Sequence, residues 1–132
     1  MASERKRVLI VDDDPEIQLL VEHLLKRLGL ETVVAGSATE AARILRDTTL
    51  PDLMILDMML PEVSGVEFLR QMRMKDMFQT LPVLVLSALS EQEQIREALD
   101  AGADRYLTKP YIGNNLVSVA QEMLRTGRRE RA

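Results

Sequence analysis

A chain of 132 residues fits one compact domain around one core, and its 46% apolar share with well-spread charges is that of a soluble globular protein. A net charge of −4 argues against a dedicated nucleic-acid binder, which needs a basic face for phosphates, and the lack of cysteine excludes disulfide frameworks and thiolate metal sites. No apolar run approaches a membrane span and the N-terminal Ser3-Glu4-Arg5-Lys6-Arg7 is not a signal peptide, so no membrane association and a cytoplasmic location are expected.

Short aliphatic runs alternate with amphipathic stretches. Val8–Val11 reads as a first strand that ends abruptly in Asp12-Asp13-Asp14. Asp14 can cap a helix with Pro15 in its first turn, and Ile17, Leu20, Val21, Leu24 and Leu28 recur at helical spacing up to Gly29. Glu31–Ala35 reads as a second strand. Ser37-Ala38-Thr39-Glu40 is a capping box for a second helix whose inner face is Ala41, Ile44 and Leu45. Leu53–Leu56 is a third strand ending at Asp57, followed by a loop with Pro61 and a helix from about Ser64 to Met72. Val83–Leu86 is a fourth strand ending at Ser87. A more polar helix spans Glu91 to Asp100 and stops near Gly102. Arg105–Leu107 is a short fifth strand before Lys109-Pro110, and a last helix runs from about Asn114 to Arg125.

The order is strand–helix five times. The first, third and fourth strand runs are apolar throughout, as in a parallel sheet covered on both faces. The expected class is therefore α/β, a doubly wound five-stranded parallel (βα)5 sheet with right-handed crossovers, filling residues 1–125. Residues 126–132 form a basic C-terminal tail or the start of a linker. Arg128, Arg129 and Arg131 there are read as a solvated, frayed end.

The polar residues that interrupt the pattern share one location. In an open sheet of this kind ligands bind beyond the carboxyl ends of the strands, where the strand order reverses. With the order 2-1-3-4-5, Asp12, Asp13 and Asp57 converge on one crevice, and Ser87 and Lys109 stand on its other side. Three carboxylates repel one another, a hard divalent cation removes that repulsion, and oxygen-only ligands suit Mg²⁺. Mg²⁺ with few carboxylates favours a phosphate oxygen, so the site suits phosphoryl chemistry. Asp57 can be the nucleophile, Lys109 can neutralise the transferring group, and Ser87 can donate to one of its oxygens.

These residues resemble the receiver domain of two-component response regulators, of the chemotaxis-regulator type with a flavodoxin-like fold. The resemblance lies in Val8-Leu9-Ile10-Val11-Asp12-Asp13-Asp14, in Leu56-Asp57-Met58-Met59-Leu60-Pro61-Glu62-Val63-Ser64-Gly65, in Leu86-Ser87-Ala88, and in Gly102 through Pro110. It covers roughly Lys6 to Arg125. It implies a signalling switch rather than a turnover enzyme, a phosphoprotein that catalyses only its own phosphorylation and dephosphorylation. Asp57 would be the phosphoacceptor. Asp13 and Asp57 would bind Mg²⁺ directly, Asp12 through water, and Met59 through its backbone carbonyl. Lys109 would pair with the phosphoryl group, Ser87 would follow it, and Tyr106 would turn inward on activation. A cis bond at Lys109-Pro110 is also implied. The implied partners are a sensor histidine kinase or phosphotransfer protein and an output protein or domain, with no direct nucleic-acid contact. The face of the fourth helix, fifth strand and fifth helix would carry the output and any homodimer. Tyr111-Ile112-Gly113-Asn114-Asn115 departs from the family pattern, which weakens the case for that dimer.

Other readings compete. Strand-end aspartates alone are usually turn residues, and Ser87 could be a helix cap, although Ser90 is better placed. Tyr106 is equally a packing residue. His23 lies off the apolar stripe, and Met54, Met58, Met72, Met74 and Met77 read as core filler and loop residues. A pseudo-receiver serving only as an interaction module is the first rival function. The second is a haloacid-dehalogenase-type phosphatase, which usually has a further Asp where Met59 stands.

Overall fold

The computed structural model describes residues 5–89, 91–109 and 114–129. Strands β1 (Arg7–Val11), β2 (Glu31–Ala35), β3 (Leu53–Leu56), β4 (Val83–Ser87) and β5 (Arg105–Thr108) alternate with helices α1 (Pro15–Lys26), α2 (Ala38–Asp47), α3 (Gly65–Arg73), α4 (Gln92–Ala101) and α5 (Asn114–Thr126). The strands pair in parallel in the order β2-β1-β3-β4-β5, as expected.

The pleat explains the unbroken apolar runs. Val8, Ile10, Leu53, Ile55, Leu84 and Leu86 enter one core with Val21 and Leu25 of α1 and Leu116 and Met123 of α5. Their neighbours Leu9, Val11, Met54, Leu56, Val83 and Val85 enter the opposite core with residues of α2, α3 and α4. β2 and β5 are the sheet edges and only partly buried, which is why their sequence patterns are weaker.

Local signals set the helix starts. The Asp14 carboxylate accepts from the Glu16 N–H at 2.9 Å, Ser37 Oγ from the Glu40 N–H at 3.1 Å, and Ser64 Oγ from the Glu67 N–H at 3.2 Å. The capping box closes one residue early, with the Glu40 side chain accepting from the Gly36 N–H. Helix α4 begins after Glu91 without a side-chain cap. Ser90 lies outside the described residues, as does Pro110 with its expected cis bond.

One expectation fails, and one apolar residue of α1 stands apart from its stripe. Leu20 is 41% exposed. At 3.6 residues per turn it sits about 100° from Val21, outside the strip of α1 that meets the sheet. The tail arginines are not all solvated. The Arg128 guanidinium donates to Asp104 Oδ1 and to the carbonyls of Gln79 and Gly102, each at 3.0 Å. Arg129 donates from its backbone to Asp104 Oδ1 and from its side chain to the carbonyls of Ala103 and Leu99, each at 3.1 Å. The carbonyls of Leu99 and Gly102 lie at the C-terminus of α4, where guanidinium groups suit the helix dipole.

Arg73 approaches Asp104 from the other side. It lies 3.3 Å from Asp104 Oδ2 and donates to the carbonyls of Gly102 and Phe78. Position 102 calls for glycine on two counts. Its φ is +120°, and an added Cβ would stand 2.7 Å from Arg73 Cγ. A single 3₁₀ turn at Asp76–Phe78, absent from the expected elements, carries Phe78 into the core.

Candidate functional site

The parallel ladders continue one step past the strand ends and place the site residues. The Asp57 N–H donates to the Val11 carbonyl at 2.9 Å, and the Asp12 N–H to that of Ala35 at 3.0 Å. On the other side of the crevice the Lys109 N–H donates to the Ser87 carbonyl at 2.7 Å. Adjacent β1 and β3 are the point where the strand order reverses.

Ligand oxygens of Asp12, Asp13 and Asp57 lie within 4.8 Å of one another. Asp12 and Asp57 are buried and Asp13 is exposed, so the cluster opens to solvent on one side. Lys109 Nζ stands 2.8 Å from Asp12 Oδ2 and 3.5 Å from Asp57 Oδ2. One ammonium among three carboxylates leaves the crevice net negative. Oxygen donors in this number and spacing fit a hard divalent cation.

The electrostatics agree with the geometry. Burial raises the Asp57 pKa, and the Asp12 charge raises it further. The Met59 N–H, which donates to Asp57 Oδ1 at 3.2 Å, and the Lys109 ammonium only partly oppose this. Burial disfavours the Lys109 charge, but the Asp12 and Asp57 carboxylates outweigh it and raise that pKa.

A stability prediction follows for Asp57. Its folded-state pKa lies above the unfolded value, so its favourable contribution is complete below the unfolded pKa and lost as pH rises through the folded one. Asp57→Asn is therefore expected to melt above wild type at neutral pH without metal. The gap should close below the unfolded value of about 3.9. Parallel thermal melts across pH check this, and equal melting temperatures at neutral pH would refute it.

Ser87 is fully buried, and its Oγ accepts from the Leu89 N–H at 3.3 Å. Tyr106 is half-buried, and its hydroxyl donates to the Leu89 carbonyl. Burial also raises its phenol pKa. Ser87, Leu89 and Tyr106 therefore form one chain of contacts from the crevice to β5. His23 is exposed.

Two residues beside the site have no role in the sequence analysis, although Gly65 lies in the stretch that carries the family resemblance. The Gln18 side-chain amide donates to the Asp12 carbonyl and pins the acidic turn. Gly65 opens α3 against the Asp57 loop, with its N–H donating to the Met58 carbonyl at 2.9 Å. A Cβ on Gly65 would lie 2.3 Å from the Asp57 carbonyl oxygen and 2.7 Å from Met58 Cα. Proximity of Gly65 to Asp57 in the chain was a signal. The missing space was not visible.

The family model for the response regulator receiver domain matches residues 8–121. The chain is a response regulator receiver domain. It is 34% identical over 120 residues to the phosphate regulon transcriptional regulatory protein PhoB of Escherichia coli, covering 91% of this chain and 52% of that protein. It is 33% identical over 132 residues to the DNA-binding response regulator MtrA of Mycolicibacterium smegmatis, covering all of this chain and 56% of that one. The receiver thus spans about half the length of these curated relatives. Among solved structures it resembles a putative response regulator from Chloroflexus aurantiacus, with TM-score 0.87, 32% identity and coverage of 92% of this chain and 99% of that one. The chemotaxis response regulator CheY4 of Vibrio cholerae gives TM-score 0.84, 29% identity and coverage of 90% and 98%. Receiver domains are signalling switches of two-component systems, and this chain is one by family and fold.

Proposed function

We propose that this receiver takes a phosphoryl group onto Asp57 in a Mg²⁺-dependent reaction and passes the change to the face of α4, β5 and α5. The convergence of Asp12, Asp13 and Asp57 oxygens within 4.8 Å, beside Lys109 at the sheet's switch point, carries the reading.

In the proposed reaction an Asp57 carboxylate oxygen forms the new P–O bond. The donor's P–N bond, to a histidine of a sensor kinase or phosphotransfer protein, breaks with its electron pair on nitrogen. Asp13 and Asp57 would hold Mg²⁺ directly, Asp12 through water and Met59 through its carbonyl. The bound cation would neutralise phosphoryl oxygens. Lys109 would exchange part of its contact with Asp12 and Asp57 for the phosphoryl group.

The output follows the contacts already in place. Ser87 would donate its hydroxyl to a phosphoryl oxygen and draw Leu89 with it. That movement disturbs the carbonyl that holds Tyr106 and lets the ring turn inward. Coupling of this kind is worth about 1–3 kcal/mol, enough to change how the α4–β5–α5 face binds an output partner or a second copy. The DNA binding of MtrA belongs to that longer protein. Here an output segment or separate partner would supply any such activity.

Incubation with Mg²⁺ and acetyl phosphate, followed by intact mass measurement, tests the reading. The expected result is a single phosphoryl adduct that needs Mg²⁺ and is absent in Asp57→Asn. Ser87→Ala should keep the adduct but lose most of the change in Tyr106 ring NMR signals on phosphorylation. No adduct, together with no binding of beryllofluoride, would instead favour a constitutive interaction module. Equal loss of adduct and ring response in Ser87→Ala would refute the coupling role.

A further inference from the structure

The outer side of α2 and α3 carries a feature that phosphoryl chemistry does not use. A cavity of about 210 Å³ opens between the two helices and the 3₁₀ turn. Leu45, Phe68, Met72 and Phe78 form its apolar floor, and Arg46 and Lys75 stand on its edge. Its location is remote from Asp57. The lining residues come mostly from the C-terminal halves of α2 and α3, which in a parallel βα fold lie at the end of the sheet opposite the phosphoacceptor.

Three observations say what would cover it. The first is charge. The chain as a whole is net −4, yet the ionic residues lining this cavity are both cations. Arg46 already pairs with the exposed carboxylate of its neighbour Asp47 at 2.9 Å, a solvent-exposed contact that an incoming carboxylate would exchange for its own, while Lys75 lines the cavity from just past the end of α3. The second is continuity. A more open depression shares Ala42 and Arg46 with the cavity and continues along α2 past Arg43, toward Thr39. Glu40, which pairs with Arg43 at 3.8 Å, is the one acidic residue along that track. From Thr39 to Arg46 the track is about 10 Å long, two turns of helix, which matches apolar anchors spaced three, four and seven residues apart. The third is the rim. Met77 lines the cavity but is 63% exposed, and nearby Met74 is 81% exposed. Flexible thioether side chains left in water beside an apolar floor suit a surface that repacks around a partner.

We infer that the groove between α2 and α3 docks an acidic amphipathic helix of a partner protein, its apolar side chains entering the cavity and its carboxylates facing Lys75, Arg46 and Arg43. This gives the receiver a second interaction face, independent of the phosphorylation switch and separate from α4–β5–α5.

A pair of fluorescein-labelled helical peptides with identical Leu and Phe anchors tests it. One carries glutamate at its remaining exposed positions and the other lysine. Binding to the full chain is read by anisotropy, and its location by methionine methyl NMR. The glutamate peptide should bind, move the Met72 and Met77 methyls, and weaken with added salt. The lysine peptide should not bind. The charge reversals R46E and K75E together should weaken the glutamate peptide roughly tenfold. Both side chains are exposed, so an unchanged melting temperature serves as the folding control. D57N should bind as wild type does, so loss of phosphorylation cannot mimic loss of this site. Equal binding of both peptides, no binding of either, or methyl shifts confined to other faces would overturn the inference. Concentration-dependent self-association mapped to Met77 would overturn it too, because the occupant would then be a second copy.

Discussion

Replacing Asp104 with alanine is expected to destabilise the domain by about 3–5 kcal/mol and to lower its melting temperature by roughly 10–20 °C. Asp104 is buried at the start of β5, and each of its oxygens has work. Oδ2 accepts from the Val83 N–H at 2.9 Å and faces Arg73 at 3.3 Å. Oδ1 meets Arg128 at 3.0 Å and the Arg129 N–H at 3.1 Å. Removing the carboxylate leaves the guanidinium groups of Arg73 and Arg128 around the one carbonyl they share, that of Gly102, with no anion between them. The loss of an ion-pair partner in a buried place is far more damaging than the pair's own net worth. Asp104→Asn keeps an acceptor for Val83 and should fall between alanine and wild type. Urea unfolding of the three proteins checks the order. A change for Asp104→Ala below about 1 kcal/mol, the scale of a surface pair, would refute the buried cluster.

Gly65→Ala is expected to cut the rate of the proposed phosphorylation of Asp57 by about a hundredfold while the domain still folds. The added methyl group would lie 2.3 Å from the Asp57 carbonyl oxygen, so one of the two segments must move. Neither neighbour is a flexible side chain. Both are backbone, and both belong to the loop that aims the Asp57 carboxylate. Overpacking of this kind costs about 1–3 kcal/mol, which a folded domain can survive. Chemistry is less tolerant, because a displacement near 1 Å at a reacting group can cost about a hundredfold in rate. Acetyl phosphate labelling followed over time, beside a thermal melt, separates the effects. Wild-type labelling kinetics in Gly65→Ala would show that the loop absorbs the methyl group without moving Asp57.

The class of fold and the residues gathered at the candidate site were legible in the chain because both rest on signals that are local in sequence. Val8–Val11, Leu53–Leu56 and Val83–Leu86 are apolar without alternation, and only a strand covered on both faces needs that. Asp12 and Asp57 follow such a run directly, Ser87 closes the third, and Lys109 follows the short edge strand β5, so a parallel sheet gathers them at one edge whatever the details of packing. Caps at Asp14, Ser37 and Ser64 are likewise written within three residues of the groups they satisfy.

Residues that act across the fold were decided only by tertiary structure. Arg73, Asp104 and Arg128 look like ordinary surface charges in sequence, and they meet because the ends of α3, α4 and α5 converge at one end of the sheet. Leu20 has the composition of a core residue, but the width of the α1 contact leaves it in water. Gly65 ends the motif after Asp57, but the reason for glycine there is the Asp57 carbonyl oxygen that would lie 2.3 Å from its Cβ. Periodicity and strand-end chemistry are properties of the chain and survive without coordinates. Distances between segments far apart in sequence are properties of the packed state, and there the buried charge cluster, the room beside Asp57 and the groove on α2 and α3 were settled.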